Sequence, residues 1–352
     1  MANLSVGIVG LPNVGKSTLF NALLKKQVAL EANYPFATIE PNVGVIEVPD
    51  ARLPVLAEIV KTQKIVPAIV EFYDIAGLVK GASKGEGLGN KFLSHIREVA
   101  AIIHVVRLFE DKNVSHISDQ INPAQDLQII EEELMFADLG TLDKQKEPRN
   151  NASKEETAMY QLVQRVKTRL NEGVPVRNQG LSSEDLVMIR QLNLLTIKPV
   201  IYCVNCSLEQ IENAEETERQ VRVILGSLND TRIDSGQARM TENFMLFNPL
   251  VETTLDVMIK KAYETLNLIS FLTGGEKEVR AWTITKGTLA PQAAGVIHTD
   301  FEKKFIKADI VTYEDFKQAP GWLKARESGL VQIVGKDYEM REGDIVEFKI
   351  GA

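Results

Sequence analysis

Glycines at positions 10 and 15, with Lys16 and Ser17 directly after, stand between the apolar run Leu4 to Val9 and the helical pattern Thr18-Leu-Phe-Asn-Ala-Leu-Leu24. This junction constrains the fold more than any other feature, because strand, glycine-rich turn and helix must follow one another with no spare residue. Gly10-Leu-Pro-Asn-Val-Gly-Lys-Ser17 has the spacing of a phosphate-binding loop. Its glycines let backbone N–H groups close round phosphate oxygens, and the start of the helix sets partial positive charge beneath them. The expected phosphate contacts are Asn13, Val14, Gly15, Lys16, Ser17 and Thr18, with Lys16 reaching the β- and γ-phosphates and Ser17 ligating Mg2+.

Further apolar runs fit strands around that junction: Val43 to Val48, Ile69 to Tyr73, Ala101 to Val106, Val200 to Val204 and Val221 to Leu225. Helix-like segments separate several of them, which predicts an α/β domain with a mostly parallel sheet and a ligand at the C-terminal edge of its strands. Asp74-Ile-Ala-Gly77 follows the run Ile69 to Tyr73 directly. Asp74 is placed to hold the Mg2+ shell, and the Gly77 amide to approach the γ-phosphate, where only glycine lets the backbone come so close. Thr38 lies between these motifs in Tyr34-Pro-Phe-Ala-Thr-Ile-Glu-Pro41, where its hydroxyl would complete the metal shell only when a γ-phosphate is present.

The 352 residues suffice for two or three domains. A formal charge of −8 argues against a general nucleic-acid coat, which needs a basic excess. The N-terminal stretch lacks a basic and apolar signal pattern, and no run approaches the roughly 20 apolar residues of a membrane span, so a cytoplasmic protein is expected. Cys203 and Cys206 are the two cysteines; they offer no disulfide framework, and their spacing has no second pair of metal ligands. His95, His104 and His298 are expected to be structural, satisfied histidines.

From about Pro123 to Lys198 charged and amide residues dominate. Ser153-Lys-Glu-Glu156 fits a capping box ahead of Met159, Leu162, Val163, Val166 and Leu170, and Asp126 to Leu139 has the same helical look, so two helices joined by Lys144 to Asn151 form a projecting antiparallel hairpin. After Leu272, Thr273-Gly-Gly-Glu-Lys reads as a break before a second compact domain with strands at 278–285, 307–312, 330–334 and 344–350 and a helix at Pro291 to His298.

Gly-Leu-Pro-Asn-Val-Gly-Lys-Ser-Thr18, the Thr38 loop and the run from Asp74 to Gly89 resemble the Obg-related GTPase group. Asn33-Tyr-Pro-Phe-Ala-Thr-Ile-Glu-Pro-Asn-Val-Gly44, Arg280-Ala-Trp-Thr-Ile284 and Ala290-Pro-Gln-Ala-Ala-Gly-Val-Ile-His-Thr-Asp-Phe-Glu302 resemble the YchF subfamily, the Obg-like ATPases, and the likeness covers nearly the whole chain. The resemblance implies a P-loop nucleotide-binding domain in two parts, residues 1–122 and 199–272. An inserted α-helical hairpin of coiled-coil type occupies 123–198, and a C-terminal TGS domain of β-grasp fold occupies 273–352. It further implies a cytoplasmic protein, monomeric, that associates with ribosomes and acts in translation or stress response. Lys303, Lys304 and Lys307 beside Phe305 are candidates for RNA contact in the TGS-like domain.

The base-reading region departs from its relatives. Guanine readers carry Asn-Lys-x-Asp and YchF proteins Asn-x-x-Glu, whereas this chain has Asn205-Cys-Ser-Leu208, with Glu209 one place late. Leu208 stands where a carboxylate would accept the guanine N1–H and N2 amine, while Asn205 still offers its amide to adenine. Gly226-Ser227 is the expected supporting loop. ATP is expected over GTP, with an Obg-type GTPase, or a nucleotide-gated ribosome-binding module with negligible hydrolysis, as alternatives. Leu78 follows Asp-x-x-Gly where a water-positioning glutamine stands in Ras-like enzymes. The catalytic set expected is Lys16, Gly77 and His116. His116 lies in a polar loop after the fourth strand, at a position where the resemblance implies a histidine, and Asn13 has the loop position of relatives that use K+. Lys16→Ala is expected to abolish high-affinity triphosphate binding, since one charged phosphate contact contributes roughly 1.5–3 kcal/mol; unchanged affinity in a nucleotide titration would refute the loop assignment.

Overall fold

The computed structural model describes residues 3–26, 42–75, 88–110, 122–149, 152–227 and 243–351. Thr38, Gly77, Leu78 and His116 lie outside them. The first sheet has the order β2 (Val43–Glu47), β4 (Ile69–Asp74), β1 (Ser5–Val9), β5 (Ala101–Arg107), β6 (Val200–Asn205) and β7 (Phe244–Phe247); β3 (Ile65–Val66) belongs to a second sheet. All neighbours in the first sheet are parallel except β2, which runs antiparallel to β4. Every residue of β1, β5 and β6 is buried, as strands covered on both faces must be, which explains their predominantly apolar sequences. The helices are α1 (Lys16–Lys25), α2 (Arg52–Val60), α3 (Leu88–Glu98), α4 (Pro123–Leu142), α5 (Lys154–Asn171), α6 (Ser183–Ile189), α7 (Leu208–Glu212) and α8 (Ala214–Ser227), followed by a helix at Glu252–Thr265.

The run Val221 to Leu225 is helical, in α8, not a strand. Val221 and Leu225, four residues apart, are 2% and 1% exposed, while Val223 between them is 72% exposed; this is the burial period of a helix face. The strand at this position in the sheet is Phe244–Phe247.

The capping box of α5 forms as expected: Glu156 N donates to Ser153 Oγ at 3.1 Å, and Ser153 N to Glu156 Oε2 at 2.8 Å. The inserted helices differ from a free two-stranded projection. Leu127, Ile130 and Leu134 of α4 join the main core under the sheet. Its second half packs Met135 and Leu142 against Leu162, Val163, Val166 and Leu170 of α5, and Ile189 of α6 closes the cluster. Two helices cannot cover so broad an apolar face on α5, and the third helix completes it.

α4 also buries acids. Asp138, fully buried, accepts from Leu195 N at 2.7 Å, Thr196 N at 2.8 Å and Thr196 Oγ1 at 2.7 Å. Glu131 pairs with Arg177, which also donates to the Thr196 carbonyl, and accepts from the Tyr202 hydroxyl at 3.3 Å. The Tyr202 hydroxyl thus ties α4 to β6, while the other contacts hold α4 to residues 177–196 that lead into that strand.

The second sheet has the order β11 (Gln332–Val334), β10 (Phe305–Val311), β12 (Ile345–Ile350), β8 (Leu268–Gly274), β9 (Val279–Thr285) and β3. β12 runs parallel to β8 between antiparallel pairs, and the helix Ala290–Ile297 covers one face with Ala290, Ala293 and Ala294, a β-grasp arrangement. The boundary expected at 272/273 falls inside β8. Gly274 and Gly275 sit at the turn of the β8–β9 hairpin, where Gly275 N bonds Glu278 O at 3.2 Å, so they do not form a linker.

His104, on β5, is 1% exposed, beside Tyr202 with ring centroids 6.1 Å apart. Its Nε2 has no hydrogen-bond partner among the described residues, so the satisfied histidine expected there is only partly realised. Burial pushes its pKa down to about 4, with Glu131 opposing and Arg177 and Lys16 adding to the shift. The unfolded chain protonates this group near a pKa of roughly 6.5, so the unfolded state gains protons that the fold refuses as pH falls. The stability this group contributes is therefore present above about pH 6.5 and is lost progressively towards pH 4, to a total of about 3 kcal/mol. The thermal midpoint of wild type is expected to fall more steeply than that of His104→Phe between about pH 7 and 5; parallel slopes would refute the role.

Candidate functional site

Three parallel strands bring the site together at their C-terminal ends. Val6, Ile8 and Val9 anchor β1, and the chain then turns through the loop into α1. A Cβ on Gly10 would lie 2.5 Å from the Val105 carbonyl oxygen of β5, and one on Gly15 would lie 2.3 Å from Asn205 Nδ2. Gly15 also has φ 103°, a conformation that disfavours any side chain. Val14 is fully buried in the core and contributes to the loop through its backbone. No side chain among the described residues caps α1, so the positive end of the helix can receive an anion.

Lys16 is only 7% exposed, and its Nζ donates to the Leu11 carbonyl at 2.8 Å. Burial lowers its pKa, and Asp74 opposes the shift. Asp74, at the end of β4, has its carboxyl pKa raised by burial, against the opposing effects of Lys16 and a hydrogen bond from Ser17. The structure thus brings Lys16, Ser17 and Asp74 together. A hydroxyl and a half-buried carboxylate in contact are hard-oxygen donors of the kind Mg2+ prefers.

A cleft of about 450 Å3 opens above the loop. Asn13, Lys16, Ser17 and Thr18 form its floor; Arg107, Phe109 and Asn205 one wall; and Asn248 to Leu250 the other. Arg107 is 3% exposed, donates from Nε to the Phe109 carbonyl at 2.8 Å and lies 4.8 Å from the Phe109 ring centroid. Asn205 Nδ2 donates to the Val14 carbonyl at 3.0 Å, and its Oδ1 is buried with no partner among the described residues. That orphan acceptor suits an amine on a ligand. Asn248 Nδ2 holds the Cys206 carbonyl at 2.7 Å and its Oδ1 accepts from Leu250 N at 2.9 Å, fixing the second wall.

Several expected base-site residues fall elsewhere. Gly226 and Ser227 stand at the end of helix α8, whereas Asn248-Pro249-Leu250, after β7, line the cleft. The misplacement follows from taking Val221 to Leu225 for the strand. Leu208 begins α7, 49% exposed and outside the cleft lining, with Ser207 and Gln210 forming a capping box around it. Cys206 is fully buried and turned into the core. Burial pushes its thiol up to about 12 and raises that of Cys203 as well, so neither is a reactive thiolate. Among the described residues no cluster of three or more His, Cys, Asp or Glu forms a metal site, and no helix is long and apolar enough to cross a membrane.

Residues 5–134 match a family model described as a 50S ribosome-binding GTPase. Residues 268–351 match the YchF-GTPase C-terminal model, described as a protein of unknown function. The ribosome-binding ATPase YchF of Bacillus subtilis is 42% identical over 362 aligned positions, covering 98% of this chain and 99% of that protein. That of Escherichia coli O157:H7 is 46% identical over 356 positions, covering 97% and 98%. The solved YchF GTPase of Schizosaccharomyces pombe matches with a TM-score of 0.79 at 39% identity, over 99% of this chain and 98% of that one. A phosphate loop closed on Asn205, a β-grasp domain at the C-terminus and full-length likeness from bacteria to yeast place the chain in the YchF family.

Proposed function

We propose that this chain is a Mg2+-dependent P-loop ATPase of the cytoplasm that works as a ribosome-associated switch. The observation that carries the reading is the meeting of Lys16, Ser17 and Asp74 beneath an uncapped helix end, with a cleft above whose lining has no carboxylate among the described residues. Relatives described as ribosome-binding ATPases supply the partner.

Phosphates entering the loop take Lys16 Nζ from the Leu11 carbonyl, and their negative charge compensates an ammonium that burial disfavours. Ser17 and Asp74 would hold Mg2+, which supplies neutralisation of charge between the phosphates. The Gly77 amide is assigned to the γ-phosphate, Thr38 to the metal shell and K+ to the neighbourhood of Asn13. His116 is assigned to orient the attacking water, since Leu78 has no polar atom with which to do so. The hairpin and the TGS-like domain are assigned to the partner surface.

The adenine preference rests on neutral readout. Asn205 Oδ1 can accept from the adenine 6-amine, and Phe109 and Leu250 offer apolar walls. The guanine N1–H and N2 amine find no carboxylate among the described residues lining the cleft, which removes roughly 2–3 kcal/mol of the usual guanine preference. In a competition titration against a fluorescent nucleotide, ATP is expected to displace the probe at lower concentration than GTP. Tighter GTP binding would overturn the adenine reading. For hydrolysis, His116→Ala is expected to leave ATP affinity unchanged and slow single-turnover cleavage at least tenfold, about 1.4 kcal/mol of barrier, with K+ supporting a faster wild-type rate than Na+. Equal rates for the two proteins would remove His116 from the mechanism.

A further inference from the structure

The sequence positions expected to sense the γ-phosphate, Thr38 and Gly77, flank a single described stretch, residues 42–75. The ends of that stretch form one ladder. β2 and β4 pair antiparallel from Val43 opposite Tyr73 to Glu47 opposite Ile69, and Asp74 N donates to the Asn42 carbonyl at 3.0 Å.

The middle of the stretch belongs to the C-terminal domain. β3 extends the second sheet in parallel with β9, Ile65 opposite Val279 and Val66 opposite Arg280. Val279 N donates to the Lys64 carbonyl at 2.9 Å, and Lys64 pairs with Glu278 at 2.7 Å. α2 buries Leu53, Leu56 and Ala57 in one cluster with Val279, Val311, Phe316 and Ile345. Arg52, the first residue of α2, grips Asp50 with two hydrogen bonds, Nε to Oδ1 at 2.8 Å and Nη2 to Oδ2 at 2.7 Å, and bonds Glu342 through Nη2. The other oxygen of Glu342 accepts from Ser270 N at 2.8 Å, on β8. A Cβ on Gly343 would lie 2.4 Å from Arg52 Nη1, so the backbone there lies directly against the guanidinium.

We propose that residues 48–68 are a rigid linkage through which nucleotide occupancy at Asp74 and the C-terminal sheet bias each other, with Arg52 as the positioning residue that closes it. The proposal rests on the nucleotide reading above, since it needs a phosphate ligand at the Asp74 end. Strand pairing, an apolar cluster and a hydrogen-bonded ion pair hold the linkage to the second sheet. A displacement of β4 towards or away from a γ-phosphate has no slack to absorb it between β2 and β4, because tightly packed elements move between discrete arrangements and do not deform continuously. It passes to β9 and to the 342–343 turn. By linkage the effect is reciprocal: a partner that binds one arrangement of the C-terminal sheet changes the relative affinity for ATP and ADP by the same factor.

The test uses the full chain. ATP and ADP affinities are measured for wild type, Arg52→Ala, Arg52→Lys and Glu342→Gln, the last being close in volume to the native side chain. Arg52→Ala and Glu342→Gln are expected to change the ATP-to-ADP affinity ratio at least threefold in the same direction, and Arg52→Lys to restore part of it. Hydrogen exchange of residues 268–285 is expected to differ between a non-hydrolysable ATP analogue and ADP in wild type, and to lose that difference in Glu342→Gln. Lower thermal stability with an unchanged affinity ratio and nucleotide-independent exchange would reduce Arg52 to a structural tie and overturn the linkage while the nucleotide site stands. Wild type that binds neither nucleotide would overturn both.

Discussion

No carbon atom fits between Gly15 and the Asn205 carboxamide, and the nucleotide end of the sheet is organised round that closeness. β6 must deliver Asn205 to 3.0 Å from the Val14 carbonyl, and its register with β5, Asn205 opposite Arg107, sets the height of both side chains above the loop. Gly10 closes against the Val105 carbonyl on the other side. The loop is therefore shaped by strands β1, β5 and β6 before any ligand arrives, and its amides need little reorganisation to meet an anion. Because the same carboxamide holds the loop and lines the cleft, the loop and that part of the cleft cannot shift independently.

Charge is treated in opposite ways at two places. At the phosphate loop Lys16 and Asp74 each have their pKa moved by burial towards the neutral form, the other's charge opposing the shift. Beneath the insertion, burial disfavours the Glu131 carboxylate, but Arg177 and the Tyr202 hydroxyl outweigh it and lower its pKa. The pair ties α4 to the Val176–Asn178 turn, and the Tyr202 hydroxyl ties Glu131 to β6, while Glu131 Oε2 keeps no hydrogen-bond partner among the described residues. Removing one member would strand the other charge, which is why such pairs fix an arrangement more than they stabilise it.

What the sequence displayed plainly was local. The loop from Gly10 to Ser17, the strand ahead of Asp74 and the capping box at Ser153 each complete their logic within a few residues, and each lies where its spacing predicts. The pairing of Asn205 with Val14 and the wall at Asn248 to Leu250 depend on which strands become neighbours, which spacing along the chain does not report. Val221 to Leu225 is short enough for strand and helix patterns to overlap, and only the exposure of Val223 separates them. The acids of α4 looked like a solvated face because composition does not show a partner such as Arg177, which arrives from another helix turn. Thr273-Gly-Gly looked like a linker because a tight hairpin and a domain boundary use the same residues.

β3 contributes only two residues to the second sheet, yet they are made early and their partner late. Ile65 meets Val279 across more than half of the chain, so the last domain to be synthesised receives its outer strand from residues completed long before. Closing so long a loop is slow relative to local pairing, but its entropic cost grows only with the logarithm of its length. Synthesis order works in its favour: the strand that covers β9 is already present when β9 appears. A C-terminal fragment released by proteolysis would lack that cover, and the bare edge of β9 would be open to pairing with other chains.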